Sequence, residues 1–383
     1  SEDKEIKREG DKNAYFFFFS GSLGGRAEVR ALSGEIQKAF EGFGNSEGVF
    51  EFGTRLGFYR LGESVGKGCF GRVYRAEQLL TGATVALKAI SKRGLRDRSS
   101  RVKVDREVSI LKRVSGCQGV IRLFEVFEDS DCVFMVFEYA RRGDLVRFFQ
   151  TRPLLEEPQL RVFFRRVAEA ARSLHRVGVV HRDLKLENIL LDENFEPKIC
   201  DFGISTLLDP EKPAKDTGGT PVYLAPEVIL AEGNVGPKTD VWSLGVLLYL
   251  LLFGYVPFRA NDVQILYQKI LLGHFRFEET DVGSPELRHL ISSMLKVDPA
   301  SRLSLDQVLE HEWLASPESK KSDPLPLPES AEKGIFLFLE SLGFPRAYIQ
   351  QSVSQKAFNH VSACFEALAA QFRSKKSHLS VFD

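Results

Sequence analysis

The hydrophobic pattern divides the chain into two unlike halves. Short β-like runs occupy 58–66, 71–78 and 83–90, and a charged helical stretch follows at 98–114. Two further strand-like runs, Leu123–Glu128 and Cys132–Glu138, complete this part. Beyond Asp144 the apolar spacing turns mainly helical and stays so to about Leu314. The pattern predicts an α+β architecture, a β-rich lobe and then a helical lobe, joined near 138–143. The longest apolar run, 241–253, is interrupted by Ser243 and Gly245. It falls well short of the ~20 residues that span a bilayer and reads as a buried core helix.

Residues 1–56 form an N-terminal extension, Gly-rich and carrying Phe16-Phe17-Phe18-Phe19. Val29, Leu32, Ile36 and Phe40 recur at helical spacing there. The segment reads either as a partly ordered extension packed on the main domain or as a docking segment for a partner. Residues 315–330 are a linker by composition, and their alternating prolines favour polyproline II. That stretch serves as a spacer or as a ligand for an SH3-type domain. Residues 331–372 predict three short helices, with Gly343-Phe344-Pro345 parting the first two and Asn359 capping the third; 373–383 are a tail.

Composition narrows the function classes. Among 383 residues, Lys plus Arg and Asp plus Glu each number 52, so the formal net charge is zero. That balance speaks against a protein built on nucleic acid or an anionic membrane surface. Five cysteines (Cys69, Cys117, Cys132, Cys200, Cys364) without a CxxC fit a reducing, intracellular setting, cytoplasmic or nuclear. Residues 1–13 are too charged, and 15–19 too short, for a signal peptide.

The chemistry lies in ordered fragments. Gly66-Lys67-Gly68-Cys69-Phe70-Gly71-Arg72-Val73 is a GxGxxGxV at the end of the strand-like run 58–66, just after Val65. A second strand follows it rather than a helix, so a β-hairpin would bring backbone amides close to phosphates. Val85-Ala86-Leu87-Lys88 would present an ammonium from a strand, and Glu107 on the charged helix offers a counter-charge. His181-Arg182-Asp183-Leu184-Lys185-Leu186-Glu187-Asn188 gathers a base, a cation and an amide, and Asp201-Phe202-Gly203 adds a carboxylate. Carboxylate and amide oxygens are the hard ligands Mg²⁺ takes beside nucleotide phosphates. Each fragment alone is weak, but their joint order and spacing are specific.

Over residues 58–314 the chain resembles a eukaryotic protein kinase. The resemblance implies that the loop from Val65 through Gly71 folds over ATP and that Lys88, held by Glu107, meets the α- and β-phosphates. It implies Asp183 as the residue that orients the substrate hydroxyl and accepts its proton, and Lys185 as the cation on the γ-phosphate. Asn188 and Asp201 would hold Mg²⁺, or Mn²⁺ in its place. Val73 and Ala86 would cover adenine and Leu190 would lie beneath it. Glu138 and Ala140 would supply the hinge, behind a gatekeeper Phe137. Leu111, Leu123, His181 and Phe202 would stack as an internal spine, Glu227 and Arg302 would pair, and Asp240 would brace the catalytic loop.

Lys185, Gly219-Thr220-Pro221 and Tyr223 are similar to serine/threonine kinases, and Phe134–Tyr139 with His311–Leu314 resemble the calcium/calmodulin-dependent and AMP-activated group. Glu187 and Asp144 would favour a basic residue three before the acceptor, and Asp144 would also line the ATP site. Leu250 stands where more basophilic relatives carry an acid, and Ile204 leans toward threonine as acceptor. The stretches Leu342–Val353 and Asn359–Leu368 resemble a ubiquitin-associated (UBA) three-helix domain, which implies docking within the chain and an effect on activity. The alternatives are an accessory bundle, a ubiquitin binder or, from the cations at 373–376, a calmodulin target. A silent kinase-like scaffold is the alternative to an enzyme; it predicts loss of Lys88, Asp183, Asn188 or Asp201, and all four are present.

Residues 213–227, PAKDTGGTPVYLAPE, resemble an activation segment. Thr220 matches the position that bonds Asp183 and Lys185. Asp216 stands where regulated relatives carry the threonine that an upstream kinase phosphorylates, opposite Arg182. Either Asp216 supplies a standing counter-charge, one charge where phosphate brings about two, or Thr217 is phosphorylated instead.

Overall fold

The computed structural model describes residues 50–67, 71–95, 98–150, 155–208, 218–230, 236–277, 282–315 and 327–374. The Phe16–Phe19 run, the helical spacing at 29–40, Gly68, Cys69, Phe70, Asp216, Thr217 and most of the linker lie outside the described residues.

Six strands make one antiparallel sheet. They are β1 (Arg55–Leu56), β2 (Tyr59–Lys67), β3 (Gly71–Gln78) and β4 (Ala83–Ser91), then, after helix α1 (Arg98–Val114), β5 (Leu123–Glu128) and β6 (Cys132–Glu138). Their order is β1-β2-β3-β4-β6-β5. Strand β4 shows how the sequence divides the sheet's faces. Val85, Leu87 and Ala89 are buried against Tyr59, Leu61, Tyr74, Phe134 and Val136 on the back. The alternate positions, Ala86 and Lys88, therefore face the other way. Register sets Val73 opposite Lys88 and Phe137 opposite Ala86, so one pleat assembles one wall of a cleft. At Gly71 the ladder closes so tightly that a Cβ would lie 1.9 Å from the Ala89 carbonyl oxygen, which admits only glycine.

The helical lobe follows: β7 (Gly143–Asp144), α2 (Leu145–Gln150), α3 (Glu157–Arg176), β8 (Val179–Val180), β9 (Ile189–Leu191), β10 (Pro197–Ile199), β11 (Thr206–Leu207), α4 (Pro226–Ile229), α5 (Pro237–Phe253), α6 (Val263–Leu272), α7 (Pro285–Met294) and α8 (Leu305–Glu310). Helix α3 starts on a reciprocal cap between Glu156 and Gln159. It buries Leu160, Phe163, Phe164, Val167, Ala171 and Leu174 at three- and four-residue spacing. Helix α5 is buried nearly all round, as its unbroken apolarity requires, and ends on Gly254 at φ 78°. The short strands β7 to β11 left no trace in the hydrophobic pattern, because two or three residues carry no period. Among the described residues no helix is long and apolar enough to cross a membrane.

Three more helices, α9 (Glu329–Ser341), α10 (Arg346–Ser354) and α11 (His360–Ser374), enclose a separate cluster of Ile335, Phe336, Leu339, Phe344, Ile349, Val361 and Cys364. Asn359 Oδ1 accepts from the Ser362 amide at 3.0 Å while Ser362 Oγ accepts from the Asn359 amide at 3.2 Å, which caps α11. Helix α11 also reaches the back of the six-stranded sheet. Its Ala363 and Ala367 join the apolar cluster there, and Gln78 Nε2 donates to Cys364 Sγ at 2.9 Å.

Candidate active site

The cleft between the lobes gathers most of the singled-out residues. Lys88 Nζ lies 2.6 Å from Glu107 Oε1, joining β4 to α1, and Glu107 is buried. Burial alone would lower the Lys88 pKa, but Glu107, Asp201 and the hydrogen bond outweigh it and hold it above the ordinary lysine value. This lysine is therefore a fixed cation aimed into the cleft.

On the facing lobe a loop between β8 and β9 presents Asp183. Lys185 Nζ donates to its Oδ2 at 2.6 Å and Asn188 Nδ2 to the same oxygen at 3.0 Å. Thr220 donates to Oδ1 twice, from Oγ1 at 2.9 Å and from its amide at 3.2 Å. Lys185 Nζ also donates to Thr220 Oγ1 at 2.7 Å, so the three side chains close a ring. Burial would raise the Asp183 pKa, yet the Lys185 and Thr220 contacts win and hold it below the usual aspartate value. The carboxylate is thus ionised and oriented.

The loop is held from behind. Buried Asp240 on α5 accepts from the His181 amide at 2.9 Å, the Arg182 amide at 2.7 Å and His175 Nε2 at 2.8 Å. Asp183's amide donates to His181 Nδ1 at 3.3 Å, which leaves Nε2–H to donate to the Cys200 carbonyl at 2.9 Å. His181 and Phe202 meet edge to face at 5.0 Å between centroids, and Leu111, Leu123 and Phe202 share one core cluster. Arg182 and Asp201 have φ of 73° and 63°, strained for side-chain-bearing residues, as positions fixed by their surroundings rather than by preference.

Asn188 spends its Nδ2 on Asp183, which turns its Oδ1 the other way; Asp201 is exposed, with Oδ1 accepting from the Gly203 amide at 3.3 Å. An amide oxygen and an open carboxylate in one cleft fit a hard divalent cation such as Mg²⁺. Burial pushes the neighbouring Cys200 thiol up, which keeps it protonated and inert.

The remaining singled-out residues are placed by their own elements. Val65, Gly66 and Lys67 are exposed at the end of β2, and a Cβ on Gly66 would make only ordinary contact with Val73, so packing does not demand that glycine. Leu190 lies in β9 opposite Lys198. Ala140 is buried. Asp144 Oδ1 accepts from the Arg147 amide at 2.8 Å, so it caps α2. Glu187 is exposed. Arg182 is buried, and its Nη1 donates to the Ile204 carbonyl at 3.2 Å.

Arg122 and Lys198 escaped sequence reasoning, although both contact Glu138 at the end of β6. They sit 16 and 60 residues away in regions of no motif, and no local pattern marks them.

A β-sheet lobe and a helical lobe thus bring an ammonium, an oriented carboxylate and hard oxygens into one site. A model of the protein kinase domain matches residues 59–314, and the chain belongs to the protein kinase family. It is 40% identical over 256 residues to human NUAK family SNF1-like kinase 1, covering 67% of this chain and 38% of that protein. It is 35% identical over 343 residues to the maternal embryonic leucine zipper kinase of Xenopus laevis, covering 86% and 50%. It is 33% identical over 335 residues to rat serine/threonine-protein kinase SIK1, covering 84% and 42%. These relatives belong to the AMP-activated kinase-related group. The chain spans half or less of the length of each.

Proposed function

We propose that this chain transfers the γ-phosphate of ATP to serine or threonine hydroxyls of protein substrates. The observation that carries the reading is the ring of Asp183, Lys185 and Thr220, set in the cleft that also holds the Lys88–Glu107 pair. Lys88 binds the α- and β-phosphates, and Glu107 keeps it charged and in place. Asp183 orients the acceptor hydroxyl and takes its proton as the new O–P bond forms and the bond from the γ-phosphorus to the β-phosphate oxygen breaks, ADP leaving, while Lys185 steadies the transferring group. Val73, Ala86 and Leu190 enclose adenine, and the backbone at Glu138 and Ala140 binds its edge. Asn188 and Asp201 would hold Mg²⁺ or Mn²⁺, which when bound would supply neutralisation of phosphate charge.

Glu187, exposed near the cleft, favours a basic residue three before the acceptor, with Asp144 contributing beside its capping role. Ile204 favours threonine. Helices α9 to α11 act as a UBA-like domain docked within the chain, a reading supported by the contacts of α11 with the sheet. Asp216 supplies a standing counter-charge toward Arg182, so basal activity does not require phosphorylation of Thr217 by an upstream kinase. The setting is intracellular.

The test is Mg·ATP-dependent phosphate transfer to an Arg-containing Ser/Thr peptide, abolished by Asp201→Ala. No transfer by the wild type, even after treatment with an upstream kinase, defeats the enzyme reading. Intact activity in Asp216→Ala with loss in Thr217→Ala reverses the assignment of the counter-charge.

A further inference from the structure

Glu138, where β6 runs into the hinge, is gripped from three directions. The Arg122 amide donates to its Oε1 at 2.9 Å, and Arg122 Nε lies 3.6 Å from Oε2. The Glu138 amide donates back to the Arg122 carbonyl at 3.0 Å. From the other lobe, Lys198 Nζ lies 3.4 Å from both carboxylate oxygens. Burial would raise the Glu138 pKa, but Lys198 and Arg122 together keep it below the ordinary glutamate value, so the side chain stays an anion. Lys198 is the cross-strand partner of Leu190. This ion pair therefore ties the hinge to the strand pair carrying the residue beneath adenine.

The Arg122 guanidinium has a second anion. Its Nη1 lies 3.0 Å from Glu366 Oε2 on α11, and Arg373 of the same helix lies 3.9 Å from that oxygen. Charges thus alternate along one chain of contacts: Lys198, Glu138, Arg122, Glu366, Arg373. Two cations compete for Glu138, and Glu366 offsets the surplus on Arg122 while fixing where its planar fork points. Helix α11 is itself anchored on the sheet by Ala363, Ala367 and Cys364, which makes Glu366 a placed anion and not a wandering surface charge.

We infer that Glu366 is a positioning residue for nucleotide: through Arg122 it holds Glu138 on Lys198 and so sets the spacing between the hinge and the adenine floor. The inference rests on reading the Glu138–Ala140 backbone as the adenine-binding hinge. Its effect falls on nucleotide affinity and spares phosphoryl transfer, because Lys88, Asp183 and Lys185 lie outside the ion chain.

The experiment uses the full chain, with calorimetric titration of ADP and Mg²⁺ and steady-state kinetics in varied ATP. Glu366→Gln keeps the side chain's shape and removes its charge. It raises the ADP dissociation constant and the KM for ATP by about two- to fivefold, the scale of a partly exposed ion pair, while kcat falls by less than twofold. Arg122→Gln raises both further, and Glu366→Gln adds nothing in that background. Glu366→Asp recovers part of the affinity. Unchanged ADP affinity in Glu366→Gln, or additive effects of the two substitutions, overturns the inference while leaving the kinase reading intact. Failure of the wild type to bind ADP overturns both.

Discussion

Thr220 donates to one oxygen of Asp183 with both its hydroxyl and its amide, at 2.9 and 3.2 Å, while the hydroxyl accepts from Lys185 at 2.7 Å. The segment carrying Thr220 is thereby tied to Asp183 through a side chain that is a fixture of the site. Thr220→Val keeps the shape and the amide contact but removes the hydroxyl. A hydrogen bond to a charged group contributes about 1.5–3 kcal/mol, so kcat falls roughly ten- to hundredfold with KM for ATP little changed. Thr220→Ser retains most of the rate. Steady-state kinetics on a peptide substrate checks both.

The same contacts fix a pH dependence. In its proposed role Asp183 must be ionised to accept a proton, and its pKa is held down against the effect of burial, chiefly by Lys185. The acid limb of kcat/KM attributable to Asp183 in the free enzyme therefore lies below the ordinary aspartate range. Removing the cation in Lys185→Met lets burial dominate, so that limb moves to higher pH and the plateau drops. A pH profile of kcat/KM for the two proteins reads the shift directly.

Arg302 meets Glu227 with two parallel contacts at 2.8 and 2.9 Å, both side chains buried. Arg302→Met leaves a buried carboxylate unpaired and destabilises the chain by about 3–5 kcal/mol in urea unfolding. Adding Glu227→Met recovers part of the loss, since no charge is then stranded. Recovery stays partial because Arg302 also donates to the Lys238, Lys296 and Val297 carbonyls, which lose their donor.

What was legible in sequence follows from distance along the chain. Asp183, Lys185 and Asn188 fall within one short run, and their mutual bonds are local consequences of a loop that Asp240 pins. The strands at Gly71–Gln78 and Cys132–Glu138 were legible because their runs are long enough to carry a pattern. Glu138 was legible only as backbone. Its cations come from a connecting segment and a three-residue strand, and the anion steadying Arg122 comes from a helix 244 residues onward. Such contacts are set by how whole elements pack, and no spacing rule points to them.

Glu125 on β5 gives the last prediction. Its carboxylate is buried under α11 and accepts from Tyr59 Oη at 2.5 Å, with Cys364 and Tyr348 the other titratable groups acting near it. Burial raises its pKa to about 7, against only partial relief from the tyrosine. Its folded-state pKa thus lies above the unfolded value, so its contribution to stability is complete below the unfolded pKa. That contribution is lost as pH rises toward 7, because the unfolded chain releases the proton first. The swing is ~3 kcal/mol between about pH 4 and 8. Glu125→Gln keeps the polar contact with Tyr59 without an ionisable proton. It therefore flattens this part of the stability profile and makes the protein more stable than wild type at pH 8. Urea unfolding across that range decides it: an unchanged slope in the variant would show that Glu125 is ionised in the folded protein throughout.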